Sequence, residues 1–206
     1  MSTATDRTAR RRHEILDAAL GVFAEKGYHG AGIADIAAEL NIGHGTVYRY
    51  FDNKLELFNA VLARVMGEIM VVLTREPPTT GTLAEYREQL HRIGTGLFQI
   101  FTKDPRNIRI VFFEAMTADP VVRDGVMNAL DMSANLTRAY LDNGVRKGFL
   151  RAGLDTEVAS RAINAVIFEG VKQILRATDA EAEARHWVGH GVTLMLEGVA
   201  ARDALD

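Results

Sequence analysis

Apolar residues in this chain recur every three or four positions from one end to the other, and no stretch alternates apolar with polar in the manner of a strand. The regular structure such a chain can form is therefore helical. From Thr8 to Lys26 the stripe is Ile15, Leu16, Ala19, Val22 and Phe23, and Gly27 follows as a residue able to take the left-handed conformation that ends a helix. After a Gly-rich link, Ile33 to Leu40 makes one short helix, Asn41-Ile42-Gly43 a tight turn, and His44 to Tyr50 a second short helix. Asn53 caps the next helix, with Glu56 three positions on to return the bond, and that helix runs to about Leu73. Pro77-Pro78-Thr79-Thr80-Gly81 is the clearest loop. Thr82 and Glu85 form another capping box, opening a helix to about Lys103, and Asp104-Pro105 and Asp119-Pro120 each read as an N-cap with proline at the first helical position. Long helices then cover roughly 121–147, 156–177 and 179–202. The expected fold class is all-α.

A long helix followed by two short ones across a Gly-containing turn is the layout of a helix-turn-helix reader of DNA. Such a reader needs a second helix with one side anchored and the other carrying small residues and hydrogen-bonding groups. Val47, with Ile36, Ala37, Leu40 and Ile42, supplies the anchor, and Phe51 should hold the following helix. Gly45, Thr46, Tyr48 and Arg49 can face a major groove, and Tyr50 and Lys54 sit where the chain could reach phosphates. The net charge of −3 argues against nucleic acid only as a sum. Residues 1–54 are neutral overall, with Arg7, Arg10, Arg11 and Arg12 crowded at the start, so the deficit lies in the remainder. That arginine run reads equally as a solvated face or as phosphate contacts.

The run Ile33-Ala34-Asp35-Ile36-Ala37, followed by Ile42-Gly43-His44-Gly45-Thr46-Val47-Tyr48-Arg49-Tyr50-Phe51-Asp52-Asn53-Lys54-Leu55-Glu56-Leu57-Phe58, resembles the signature of the tetracycline-repressor (TetR) family. The motif spans about residues 10–60. Gly32 and Gly43 stand where the family usually has Thr or Ser, so a cap hydroxyl is missing at both, although glycine keeps the cap geometry and an N–H for phosphate. His44 replaces a frequent lysine and is the weaker phosphate partner at neutral pH. The DNA-contacting residues implied are Gly32, Gly43, His44, Gly45, Thr46, Tyr48, Arg49, Tyr50 and Lys54.

The resemblance also implies an N-terminal three-helix DNA-binding domain (1–53) and a C-terminal helical domain (54–206) for effector binding and dimerisation. In the latter, the last two helices pair across a two-fold axis. The 156–177 helix is apolar or small on nearly all sides, which demands burial on more than one face. The dimer contacts expected are Ala162, Val166, Gly170, Ile174, Val188, Val192 and Met195; the rival reading is packing within one subunit. Effector-pocket candidates are Phe98, Phe101, Phe112, Phe113, Met116, Met127, Tyr140 and Phe168, with Glu114 as a polar handle, although aromatics and methionines at helical spacing are more often plain core. Few basic residues fall on these faces, so a lipophilic effector, neutral or cationic, is expected rather than a phosphorylated one.

The chain has no cysteine, which leaves no disulfide framework and no thiolate site. No Ser–His–Asp, paired-carboxylate or phosphate-loop constellation is visible, and Gly94-x-Gly96 is too short to be a nucleotide loop. His186 and His190 have zinc-compatible spacing, but no further ligand is evident. No cofactor, metal or catalysis is expected. The polar N-terminus and the lack of an uninterrupted apolar run of ~18 residues suggest a cytoplasmic protein with no membrane association. The expected function is a homodimeric, ligand-responsive repressor on double-stranded operator DNA. The alternatives are an activator or global regulator of the same fold, or an all-α sensor or enzyme without DNA binding.

Overall fold

A computed structural model describes residues 4–199 of the protein. Its elements are helical: α1 (Ala4–Gly30), α2 (Ile33–Glu39), α3 (His44–Tyr48), α4 (Lys54–Thr74), α5 (Leu83–Lys103), α6 (Arg106–Arg109), a π-helical segment (Ile110–Glu114), α7 (Ala115–Ala118), α8 (Pro120–Lys147), α9 (Thr156–Ile174) and α10 (Ala180–Val199). The chain packs as two compact units. One comprises the residues up to Gly67 with Arg106–Val126; the other comprises Glu68–Pro105 and the chain from Met127.

The first unit is wider than the 1–53 segment expected to bind DNA. Three helices of this size cannot cover α1's apolar face on their own. Leu57, Phe58 and Val61 of α4 close one side of that face, and Ile110, Ala115 and Ala118 close another. At its centre the Phe58 ring meets Phe23 edge-on at 5.2 Å and Tyr28 at 5.0 Å. Gly27 takes a φ of 74°, as its sequence position suggests, but α1 resumes for one more turn to Gly30. The Glu114 carboxylate accepts the Tyr28 N–H at 2.9 Å just past the break, which satisfies a donor that the kink exposes. Glu114 reaches that N–H from the end of the π-helical segment, whose wider turn nothing in the sequence announced.

In the second unit α10 lies against α5 and α9. Glycines seat the helices: a Cβ on Gly94 would press on Val188 at 3.3 Å, and one on Gly96 or Gly170 would fall within 3.0 Å of Val72 or Phe98. Gly94 and Gly96 are thus packing residues. The loop after α4 is tied down by buried amides. Gln89 Nε2 donates to the Pro77 carbonyl and Asn143 Nδ2 to that of Thr80, both at 2.8 Å, and the Tyr140 hydroxyl donates to Glu76. Gly148 (φ 81°) turns the chain after α8.

Among the described residues one helix, Lys54–Thr74, is long and apolar enough to cross a membrane by length and mean hydropathy, although charged residues interrupt it. Its Leu57, Phe58, Val61 and Val65 are buried in the protein, and Arg64 pairs with Asp17.

Candidate nucleic-acid interface and effector cavity

The short helix α3 is held by one residue. Val47 is fully buried, beside Ile36 and Ala37 of α2, with Leu40 and Ile42 packed against the same cluster. Asn41 takes a φ of 52° in the turn between them, a conformation asparagine tolerates better than most residues. With Val47 fixed, the helix presents His44, Gly45, Tyr48 and Arg49 outward; Tyr48 is 52% exposed, and Thr46 is half-buried. A Cβ on Gly45 would meet nothing within 4 Å, so this face is open to an approaching surface. Tyr50 is half-buried against the core.

Both glycine caps keep the extended backbone of an N-cap without a hydroxyl, with φ −122° at Gly32 and −73° at Gly43. At Gly32 the bond runs the other way. The Asp35 carboxylate accepts the Gly32 N–H at 2.8 Å and also takes Lys26 Nζ at 2.7 Å. The lysine bond, with that N–H second, holds the Asp35 carboxyl below its ordinary value.

Lys54 also has a place within the protein. Its ammonium donates to the carbonyls of Tyr28 and Ala31, at 2.9 and 3.0 Å, and lies 4.5 Å from the Tyr28 ring centroid. It therefore ties down the exposed end of α1. These carbonyls follow the Gly27 break and lack helical partners, so a fixed cation stabilises them. In the arginine run, Arg12 lies 4.9 Å from the Phe51 ring and Arg10 and Arg11 pair with Glu14, so these three have local partners.

The second unit contains a cavity of about 130 Å³ between α4, α5, α8, α9 and α10. Of the pocket candidates, Phe98 and Tyr140 line it, and the lone tryptophan, Trp187, is part of its wall. The other pocket candidates do not line it. Phe101 is buried elsewhere in α5, and Met127 and Phe168 are exposed. Phe112, Phe113, Glu114 and Met116 belong to the first unit, where Phe113 is exposed and Glu114 caps the α1 break. Their spacing in the sequence could not show which unit their segment joins.

The dimer-contact expectations change in the same way. Val166, Val188, Val192 and Met195 line the cavity. Gly170 and Ile174 are buried within the protomer, Gly170 because Phe98 and Trp187 lie on it. Ala162 alone of the seven is exposed. The outward face of α9 carries Val158, Ala162, Ala165 and Phe168, and that of α10 carries His186, His190 and Leu194. The two histidine rings lie 4.2 Å apart and tilted by 34°, and no cluster of three or more potential metal ligands occurs among the described residues. Beside the cavity lies a more open groove that shares Phe98 and Val188 with it and is lined by Gln99, Thr102, Lys103, Glu181 and Arg185.

Comparison with known proteins bears on this site directly. Residues 15–61 match the family model described as bacterial regulatory proteins, tetR family. The fatty acid metabolism regulator protein of Bacillus subtilis is 26% identical over 158 residues, 77% of this chain and 80% of that protein. The probable acrEF/envCD operon repressor of Escherichia coli K12 is 26% identical over 169 residues, 80% and 75% of the two chains. Among solved structures, the transcriptional regulator FadR from Bacillus subtilis, in complex with stearoyl-CoA, superimposes with a TM-score of 0.72 at 24% identity, over 87% of this chain and 97% of that one. At that identity the likeness speaks for the fold. The relatives are regulators, which points away from an enzyme.

Proposed function

We propose that this chain, which belongs to the tetR family of bacterial regulatory proteins, is a repressor that grips operator DNA through α3 and lets go when a small molecule enters its second unit. The observation that carries this reading is the anchored α3, whose buried Val47 turns Tyr48 and Arg49 outward on an open face. Two such helices in a homodimer would enter successive major grooves ~34–36 Å apart. DNA contact belongs to residues 1–53 and effector binding and dimerisation to 54–206. The dimer face is the exposed side of α9 and α10, where Val158, Phe168 and Leu194 are uncovered. Apolar surface on two adjacent helices is what a self-complementary interface buries. Binding of DNA places the protein in the cytoplasm.

The effector is lipophilic, in keeping with a wall made mostly of Leu, Ile, Val and aromatic residues. The cavity's 130 Å³ falls well below the roughly 300–1,000 Å³ of drug-sized sites, so an effector of ordinary size must part the helices to enter. A ligand that prefers the parted state shifts the population away from the state that fits DNA. A second reading, an amphiphile with an anionic head, is favoured by the adjoining groove with Lys103 and Arg185 and by the stearoyl-CoA complex of the Bacillus subtilis regulator.

The test is a gel shift with the DNA upstream of the chain's own gene. Wild-type protein should retard it, and Tyr48→Ala or Arg49→Ala should weaken binding by ~1–3 kcal/mol without changing thermal stability. Normal binding by both variants would remove α3 as the reading element. A reporter in a deletion strain separates repression from activation by the direction in which expression moves.

A further inference from the structure

Resting on the effector reading above, we infer that Asn164 is the specificity anchor of the cavity and that the effector carries a hydrogen-bond acceptor of the carbonyl kind (ketone, ester or thioester) on its aliphatic chain. Besides Tyr86, the cavity wall includes four polar side chains whose partners can be followed one by one, and Asn164. The Tyr140 hydroxyl donates to the Glu76 carbonyl, and Trp187 Nε1 donates to Glu183 at 2.8 Å. The Thr137 hydroxyl donates to the Ser133 carbonyl at 3.0 Å, and Ser133 Oγ donates to Asn164 Oδ1 at 3.2 Å. Asn164 Nδ2 is different. It is shielded from water and has no partner, and among the described residues it is the one wall atom of which this is true.

A buried donor left unpaired is costly, and native proteins rarely leave one without reason. Here the donor belongs to a wall that must move when a ligand enters, because the cavity is too small for an effector of ordinary size. An entering chain that brings an acceptor satisfies Nδ2 without breaking the Ser133 bond at the other end of the amide. An unsubstituted hydrocarbon cannot do this, and an ammonium would oppose one donor with another. Ser133 and Thr137 stand one turn apart on α8 and face Asn164 on α9, so the amide plane is held before the ligand arrives.

Trp187 in the same wall supplies the readout, being the chain's single tryptophan. Its fluorescence is followed in the full-length protein during titration with 2-nonanone, nonane and nonylammonium, three probes of equal chain length. Wild-type protein should bind 2-nonanone about tenfold tighter than nonane, and nonylammonium no better than nonane. Asn164→Leu, which keeps the branched shape and removes the amide, should bring 2-nonanone down to the affinity of nonane and leave nonane unchanged. Ser133→Ala, which spares Nδ2, should keep the preference for the ketone. If Asn164→Leu does not fold, Asn164→Ala is compared in the same way. A ketone preference that survives loss of the amide would overturn the assignment of Asn164, as would equal binding of 2-nonanone and nonane or preferred binding of nonylammonium. No response to any of the three would instead overturn the lipophilic effector reading on which this inference rests.

Discussion

In the first unit, most side chains that the recognition motif names meet partners that hold them, whereas in the second unit the same kinds of apolar residue divide among a cavity, a helix seam and an exposed face. Phe23, Phe51 and Phe58 are all but inaccessible, and Lys54 and Glu114 are tied to backbone at the break in α1. In α9, by contrast, Val166 faces the cavity, Gly170 seats Phe98, and Phe168 is uncovered, all within five positions. A reading head must be rigid to hold a few side chains in register with base edges. A sensing domain needs a place where packing is incomplete and can be altered by a ligand.

The sharpest way to break this comparison lies on α10. Val192 is buried in the cavity wall and Leu194 is exposed. Val192→Glu should cost several kcal/mol, roughly the penalty of an unpaired buried charge, and give unfolded or insoluble protein. Leu194→Glu should stay folded by circular dichroism and shift the protein towards monomer in light scattering. A soluble, folded monomer from Val192→Glu beside an undisturbed dimer from Leu194→Glu would restore the interface first expected from the sequence.

Packing density comes next. Phe58→Ala should destabilise the protein by about 3–5 kcal/mol in denaturant unfolding, since it empties the centre of an aromatic cluster. Val166→Ala removes less, from a half-buried position beside existing space, and should cost about 1 kcal/mol. Equal costs would mean that the two units are equally well packed.

Lys54 separates a structural from a docking role. Lys54→Met, which keeps much of the stem and removes two charge-assisted bonds, should lower stability by about 2 kcal/mol in the absence of DNA. A purely phosphate-binding lysine would leave stability unchanged and reduce only the salt dependence of operator binding.

The smallest effect expected concerns acid. The Lys26 bond depresses the Asp35 pKa from its ordinary 3.8, so the stability it contributes is present above that value and is lost as pH falls through the lower, folded-state pKa. Lys26→Met should flatten this part of the acid-unfolding profile. An unchanged profile would show that the pair contributes nothing measurable, as is common for exposed ion pairs.

The helices were legible because caps, prolines and a 3.6-residue stripe are local signals: Thr82 accepts from Glu85 N–H, and α8 begins at Pro120, both as expected. The outward face of α3 was legible because a fixed motif names both its anchor and its exposed residues. Other features were hidden. The capping role of Glu114 depends on a π-helical turn and on a glycine 87 positions earlier in the chain, and the fate of Gly170 depends on Phe98 and Trp187. Asn164 does not stand out in the sequence, because an asparagine within a helix has no distinguishing pattern; its orphaned nitrogen is visible only with its neighbours in place.

What the sequence by itself determined is which residues form helices and which short segment carries the family motif, because both are written in spacings of three or four residues and in a motif read in order. Which way an apolar helix turns its faces was decided only by tertiary structure. A helix apolar on every side satisfies its own backbone in any rotation, so the choice falls to contacts from distant elements, where a few glycines set how closely each neighbour can approach.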